Sequence, residues 1–402
     1  MRRVVVVGAG LAGVRAVAEL RQQGYDGHVL LVNAEDERPY DRPPLSKAVL
    51  AGAAPERLEP DWYAEAEMWL GVRATGLRPA ELDTTAGVVP YDGLVLACGA
   101  APLTLPGSAL SLRTLDDALR LRERLRPGER VVLVGASWIG AEVATAAAKA
   151  GCAVSVLEAG PAPLSVALGV RVGRYTAPWY AEAGVLLRTN TAVTAVGEGG
   201  VTLAGGERLP AGTVLVGIGV RPATGWLAGS GIGLDRGVLT DAVGRTTLPG
   251  VVAVGDCAVR WSPRAGRFVR GEHWDDALNG PAHAVAGLLA GHDGWPTEQA
   301  ALTAPRELPP NADPVPYVWS EQFDRFLQWT GWRETPEPSV FRGDPTDSSG
   351  WSAAWLSAGG ALTGFFAADR HRDTSQARRL IAAGHKPDPD RLADEATPLR
   401  NT

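Results

Sequence analysis

A chain of 402 residues has room for two or three domains, and 45% hydrophobic with 21% charged residues is ordinary for a globular protein. The net charge of −6 excludes nucleic-acid binding by the molecule as a whole, and no apolar run is long enough to span a membrane. Cys98, Cys152 and Cys257 lie far apart, with no metal-ligand or redox-motif spacing; that argues against a disulfide scaffold and a metal site and fits a reducing cytoplasm.

The amino terminus has a basic end and an apolar run, the outline of a signal peptide. The run enters a glycine turn and then a helix carrying Arg15, Glu19 and Arg21, so it is read as part of the fold. Residues 2–7, RRVVVV, predict a buried parallel strand. GAGLAG follows, then the helical spacing of VRAVAELRQQG, which stops at Gly24, then the strand HVLLVN leading to Glu35. In this pattern Gly8 makes the tight turn, Gly10 lets the backbone approach a pyrophosphate, and Gly13 lets helix and strand pack closely. The helix amino terminus meets the phosphates and Glu35 accepts ribose hydroxyls. PYDRPPLSK, residues 39–47, holds three prolines and cannot be helix interior; taken alone, its Lys47 reads as a solvated surface lysine.

The first pattern recurs: the strand RVVLV at 130–134, the turn GASWIG, the helix AEVATAAAKAG, and the strand AVSVLE ending at Glu158. Gly135 and Gly140 keep the outer positions, but Ser137 replaces the middle glycine, so this turn is expected to be looser. Glu158 suits the 2′-hydroxyl of NADH and repels a 2′-phosphate; with no arginine following it until Arg171, NADH is favoured over NADPH. At 250–260, GVVAVGDCAVR ends a strand in Gly255 and Asp256. A structural turn explains it equally well alone; beside two dinucleotide turns it is better read as the second half of a flavin site, with Asp256 on a ribityl or ribose hydroxyl. Residues 125–130 and 228–237 are expected loops, and 304–316, with five prolines, a linker. Strands and a last helix follow, and the tail from Lys386, without an apolar period, is expected to be loosely held.

Together GAGLAG, PYDRPPLSK, LVLACGAAP, GASWIGAE, VLE, GIGVRP, VAVGDCA and VPYVWSEQFD resemble the NADH-dependent ferredoxin reductases, the putidaredoxin-reductase and dioxygenase-reductase type of two-dinucleotide-binding flavoprotein, over nearly the whole chain. The resemblance implies an α/β fold of two Rossmann-like dinucleotide-binding domains, the second inserted into the first, plus a small α+β carboxy-terminal domain. The FAD-binding domain would be 1–111 and 239–311, the NADH-binding domain 112–238 and the interface domain 312–402. It also implies that the proline arm lies over FAD, with Arg42 on the phosphate or ribityl region and Lys47 near flavin N5. Gly99 would contact the cofactor, Glu142 would pair with Lys47 where hydride is transferred, and Trp319 would pack near the isoalloxazine.

The chain departs from this family pattern at several points. Cys98 replaces a threonine, Asp276 an asparagine, and Ala162 lies near where an arginine usually follows the NADH-binding glutamate. Segment 72–91 is short, as if most of a hairpin were missing.

The implied reaction moves a hydride from NADH to FAD, then single electrons to an iron–sulfur ferredoxin that feeds an oxygenase such as a haem-thiolate monooxygenase. No close cysteine pair is evident and the proline arm has no cysteine, so dithiol-relay and single-cysteine chemistry are disfavoured; the three cysteines are read as core residues. Arg260, Arg264, Arg267 and Arg270, with no acid between them, suggest a docking rim for an acidic ferredoxin, though a solvated loop fits equally. Two other readings are an NADH oxidoreductase with a quinone or oxygen as acceptor, and an NADH-sensing flavoprotein resembling apoptosis-inducing factor.

Overall fold

Four valines in a row have no polar face to offer water, so the Arg3–Val7 strand is stable only when covered on both sides. The computed structural model describes residues 1–402 other than Ser108, Arg306 and Ser348. It divides into two units: Met1–Arg42, Pro55–Ala101 and Val220–Pro314 form the first; Pro43–Ala54, Pro102–Gly219 and Val315–Thr402 the second.

In the first unit Arg3–Val7 is the centre of a five-stranded parallel sheet, ordered Val251–Ala253, Gly93–Leu96, Arg3–Val7, His28–Val32, Glu67–Trp69. Helices Leu11–Gln22 and Trp274–Leu289 cover one face, where Val14, Val17, Ala284 and Val285 join Val4 and Val6. The other face carries an antiparallel sheet of Ala74–Arg78, Glu81–Thr84 and Gly87–Pro90, through Leu77, Leu82 and Val89. Segment 72–91 supplies these three strands, joined by tight turns, with Ala80 and Gly87 at positive φ.

In the second unit Arg130–Val134 lies between Ala153–Leu157 and Thr213–Val216 in a parallel sheet completed by Leu186–Arg188. The helix after it runs Trp138–Lys149, three residues earlier than its apolar spacing suggests, because the Ser137 hydroxyl caps it by accepting the Gly140 N–H at 3.2 Å. Residues 317–368 form a five-stranded antiparallel sheet, ordered Tyr317–Gln322, Arg325–Gly331, Leu362–Ala368, Trp351–Leu356, Val340–Arg342. Helix His371–Ala382 lays Ala377 and Ile381 on Phe365 and Ala367. These elements are the α/β fold with two Rossmann-like units and an α+β terminal segment.

The tail is not loose. Leu392 and Leu399 are fully buried, and the buried Arg342 guanidinium donates to the carbonyls of Leu392, Asp394, Glu395 and Thr397. Two isolated leucines make no periodic pattern, so the anchoring shows only once Arg342 is in place.

Candidate functional site

In the first unit, two of the three turn glycines are required by the protein alone. A Cβ on Gly8, at φ +106°, would sit 2.3 Å from the Ala97 carbonyl oxygen, and one on Gly13 1.8 Å from that of Gly8. Gly10 is different. Its φ of −73° and ψ of −179° are open to any residue, and its Cβ would meet nothing nearer than Arg42 Nε at 3.9 Å. The helix it begins has no side-chain cap. What Gly10 leaves open is a cradle bounded by Arg42 beside uncapped helix N–H groups, which suits a diphosphate.

Arg42 is held in place. Its Nη2 donates to Glu35 Oε1 at 2.7 Å, and the Tyr40 hydroxyl donates to Glu35 Oε2 at 2.5 Å. Burial pushes the Arg42 guanidinium pKa down, but Tyr40, Glu35 and Asp256 outweigh it and the pKa is raised, so Arg42 stays cationic. Trp274 Nε1 donates to Asp41 Oδ1 at 2.9 Å, fixing the start of the arm. Gly255, at φ +65°, packs so closely on the first helix that a Cβ would lie 2.9 Å from that of Ala12; Asp256 follows it at the strand end. Gly99, at φ +67°, follows the neighbouring strand and accepts the Ala223 N–H. Burial raises the pKa of Asp276, opposed by Arg260 and helped by Asp256 and Asp275, which moves this carboxyl toward its neutral form.

In the second unit, a Cβ on Gly135 would lie 2.6 Å from the Gly217 carbonyl oxygen, and one on Gly140 2.1 Å from that of Gly135. Ser137 turns inward and donates to the Gly217 carbonyl at 2.8 Å, so its side chain does not fill the turn. Glu158 is pinned by the Ala136 and Gly160 N–H groups, each at 2.7 Å. Ala162 is buried, and a Cβ on Gly173 would touch it.

The strongest electrostatic feature is Glu142. It is 4% exposed and gathers donors from two further segments. Lys47 Nζ lies 2.8 Å from its Oε2, the Ser46 hydroxyl donates to the same oxygen, and the Ser320 hydroxyl donates to Oε1 at 2.6 Å. Gln322 Nε2 in turn donates to Ser320 Oγ at 3.0 Å. Lys47, read alone as a surface lysine, is thus tied to a buried carboxylate.

Ser46 and Ser320 are site residues the sequence reading passed over. The signal was alternation: on the Tyr317–Gln322 strand Ser320 points inward while Tyr317 and Trp319 share the opposite face, their rings stacked at 6.2 Å. The following turn, Phe323–Asp324, has positive φ at both residues and is held by packing. The Phe323 ring lies 4.5 Å from Tyr180, its N–H donates to Thr145 Oγ1 at 2.9 Å, and Lys149 pairs with Asp324.

Two groups of residues acquire neighbours that their own stretch of sequence does not contain. The arginine run is partly neutralised by acids that the linear stretch does not show: Arg260 pairs with Asp313, and Arg270 with Glu272. Cys98 and Cys257 also come near one another in space: they follow neighbouring parallel strands, and Cys257 Sγ donates at 3.3 Å to the carbonyl of Leu96, on the strand that leads to Cys98. Cys152 is half-buried and donates to the Arg126 carbonyl. Among the described residues no cluster suits a metal ion, and no helix is long and apolar enough to cross a membrane.

Two strand–glycine-turn–helix units, with a lysine–carboxylate pair in the second, define an oxidoreductase built on two dinucleotides. The pyridine nucleotide-disulphide oxidoreductase model matches residues 2–284 and the reductase C-terminal model residues 317–402, and the chain belongs to the pyridine nucleotide-disulphide oxidoreductase family. It is 34% identical to the ferredoxin–NAD(+) reductase component of the anthranilate 1,2-dioxygenase system of Burkholderia cepacia, over 98% of each chain. The crystal structure of Fdr9 matches with a TM-score of 0.90 and 47% identity over 99% of each chain. The reductase of the covalent putidaredoxin reductase–putidaredoxin complex matches with a TM-score of 0.87 and 30% identity, over 99% of this chain and 97% of that one. Such reductases use FAD and NAD(H), and the residues above fit both.

Proposed function

We propose that this chain is a cytoplasmic NADH-dependent ferredoxin reductase, carrying electrons from NADH by way of FAD to an iron–sulfur ferredoxin that serves an oxygenase. The observation that carries this reading is the buried Glu142, which joins the proline arm, the NADH-side helix and the carboxy-terminal strand through Lys47, Ser46 and Ser320.

When bound, FAD supplies the conversion of a two-electron hydride into single-electron steps. The chain supplies binding and charge. Gly8, Gly10, Gly13 and Arg42 hold the FAD diphosphate, Glu35 the ribose, and Gly99 and Asp256 the rest of the flavin chain. Gly135, Ser137, Gly140 and Glu158 hold NADH; the carboxylate of Glu158 disfavours a 2′-phosphate. Lys47 would supply the cation that steadies negative charge on a reduced flavin, and Glu142 holds the Lys47 ammonium in place. Trp319 offers a flat apolar face that excludes water. The boundaries that go with this reading are 1–111 and 239–311 for FAD, 112–238 for NADH and 312–402 for the interface domain.

An anaerobic absorbance titration tests it. NADH should bleach the bound flavin stoichiometrically, NADPH should do so far more slowly at equal concentration, and oxidised ferredoxin should restore the colour within one turnover. Recovery only with quinone or oxygen would replace ferredoxin by that acceptor. A stable long-wavelength band that no acceptor discharges would mark an NADH sensor.

A further inference from the structure

We propose that Cys98 and Cys257 form an oxidant-sensitive dithiol at the base of the flavin site, closing to a disulfide that loosens FAD. Strands Gly93–Leu96 and Val251–Ala253 are parallel neighbours with Leu96 opposite Ala253, and the Val254 N–H donates to the Leu96 carbonyl at 2.9 Å. Just past this register the first chain reaches Cys98 and the second turns, at Gly255–Cys257, to Cys257. Cys257 Sγ already reaches across, donating to the Leu96 carbonyl on the other strand at 3.3 Å. Continued past Leu96 and Ala253, the register sets Cys98 beside Gly255, and the tight Gly255–Cys257 turn keeps Cys257 close to the end of the Cys98 strand. Both side chains pack into one apolar cluster.

Access decides the order of events. Cys257 is fully buried and Cys98 half-buried, so a hydroperoxide meets Cys98 first, and because the Cys257 neighbour and burial push the Cys98 thiol pKa up, the attack is slow. With hydrogen peroxide as the oxidant, the Cys98 sulfur takes one oxygen to become a sulfenic acid and water leaves. Cys257 sulfur then displaces that oxygen as a second water, and the S–S bond forms. Two thiols and one peroxide become one disulfide and two waters, and a thiol reductant reverses the change. The consequence for FAD rests on the cofactor site proposed above: Gly99 follows Cys98 and Asp256 precedes Cys257, so the new bond draws on two residues assigned to FAD.

The test uses the full chain, with and without FAD, exposed to hydrogen peroxide or diamide. Thiols counted after denaturation should fall from three to one, and peptide mapping should recover a cross-link between Cys98 and Cys257. Cys98→Ser and Cys257→Ser should each abolish the cross-link, while Cys152→Ser retains it. In the oxidised holoprotein FAD should pass into a filtrate at least threefold faster than in the reduced form, with no such change in Cys98→Ser. Three surviving thiols, loss of Cys152 alone, or oxidation of Cys98 without a cross-link would overturn the proposal. A cross-link with unchanged FAD release would overturn the coupling to the cofactor. Thiol counts do not depend on FAD, so a chain that bound none would undo the cofactor reading without touching the disulfide.

Discussion

Gly10 and Gly13 stand three residues apart and serve different ends. Gly13→Ala drives a methyl group into the Gly8 carbonyl at 1.8 Å and should destabilise the first unit by more than about 3 kcal/mol, read as a fall in melting temperature. Gly10→Ala meets only Arg42 at 3.9 Å, so the chain should keep its circular dichroism and melting temperature when stripped of FAD yet bind FAD at least tenfold more weakly. Equal FAD affinity in Gly10→Ala would remove the cradle. Asp276 provides a test by pH. Because burial raises its pKa, the folded chain holds this proton more tightly than the unfolded chain does. Its contribution therefore favours folding at low pH and declines as pH climbs from the ordinary carboxylate value through the raised one. Asp276→Asn should remove that component and melt higher than the parent at pH 8, with the gap closing toward pH 4. The three glycine positions were legible in the spacing of GAGLAG. Their division of labour was not, because it depends on which atom lies opposite each missing Cβ.

The Tyr317–Gln322 strand carries out two tasks by simple alternation. One face shows Tyr317 and Trp319; the other sends Ser320 to Glu142. Ser320→Ala leaves a buried carboxylate short of one donor, at a cost of about 1.5–3 kcal/mol. It should slow flavin reduction by NADH and move the pH profile of that step, with Ser320→Thr restoring both; a profile unchanged in Ser320→Ala would reduce Ser320 to packing. Arg342 does similar work for the tail. Arg342→Met leaves four carbonyls without their donor and should cost about 3 kcal/mol, read as early proteolysis beyond residue 386 at temperatures where the parent resists. Arg3–Val7, His28–Val32, Val251–Ala253, Arg130–Val134 and Ala153–Leu157 could be picked out from runs of apolar residues, whereas the edge strand Glu67–Trp69 has no such run. Helix Trp274–Leu289 could not, since Pro281 lies within it and proline ordinarily marks a boundary. Nor could the anchoring of the tail, whose partner is more than forty residues upstream.

Taken as a whole, the molecule's stability is linked to its cofactor. A chain stripped of FAD should melt lower than the holoprotein, and FAD at a hundred times its dissociation constant should restore about 2.7 kcal/mol. An unchanged melting temperature on adding FAD would contradict the assignment of the first unit. Local chemistry written along the chain was enough to indicate two nucleotide turns, their acids and the family they belong to, because a tight turn, a helix start and a strand end each need particular residues at short, regular intervals. Other features were settled only when distant segments met: Lys47 against Glu142, Ser320 against Glu142, Cys257 against the strand that leads to Cys98, and Arg260 against Asp313. Partnership of charges and thiols is a matter of a few ångströms in space, and distance along the chain carries no information about it until the sheets have set their strand order.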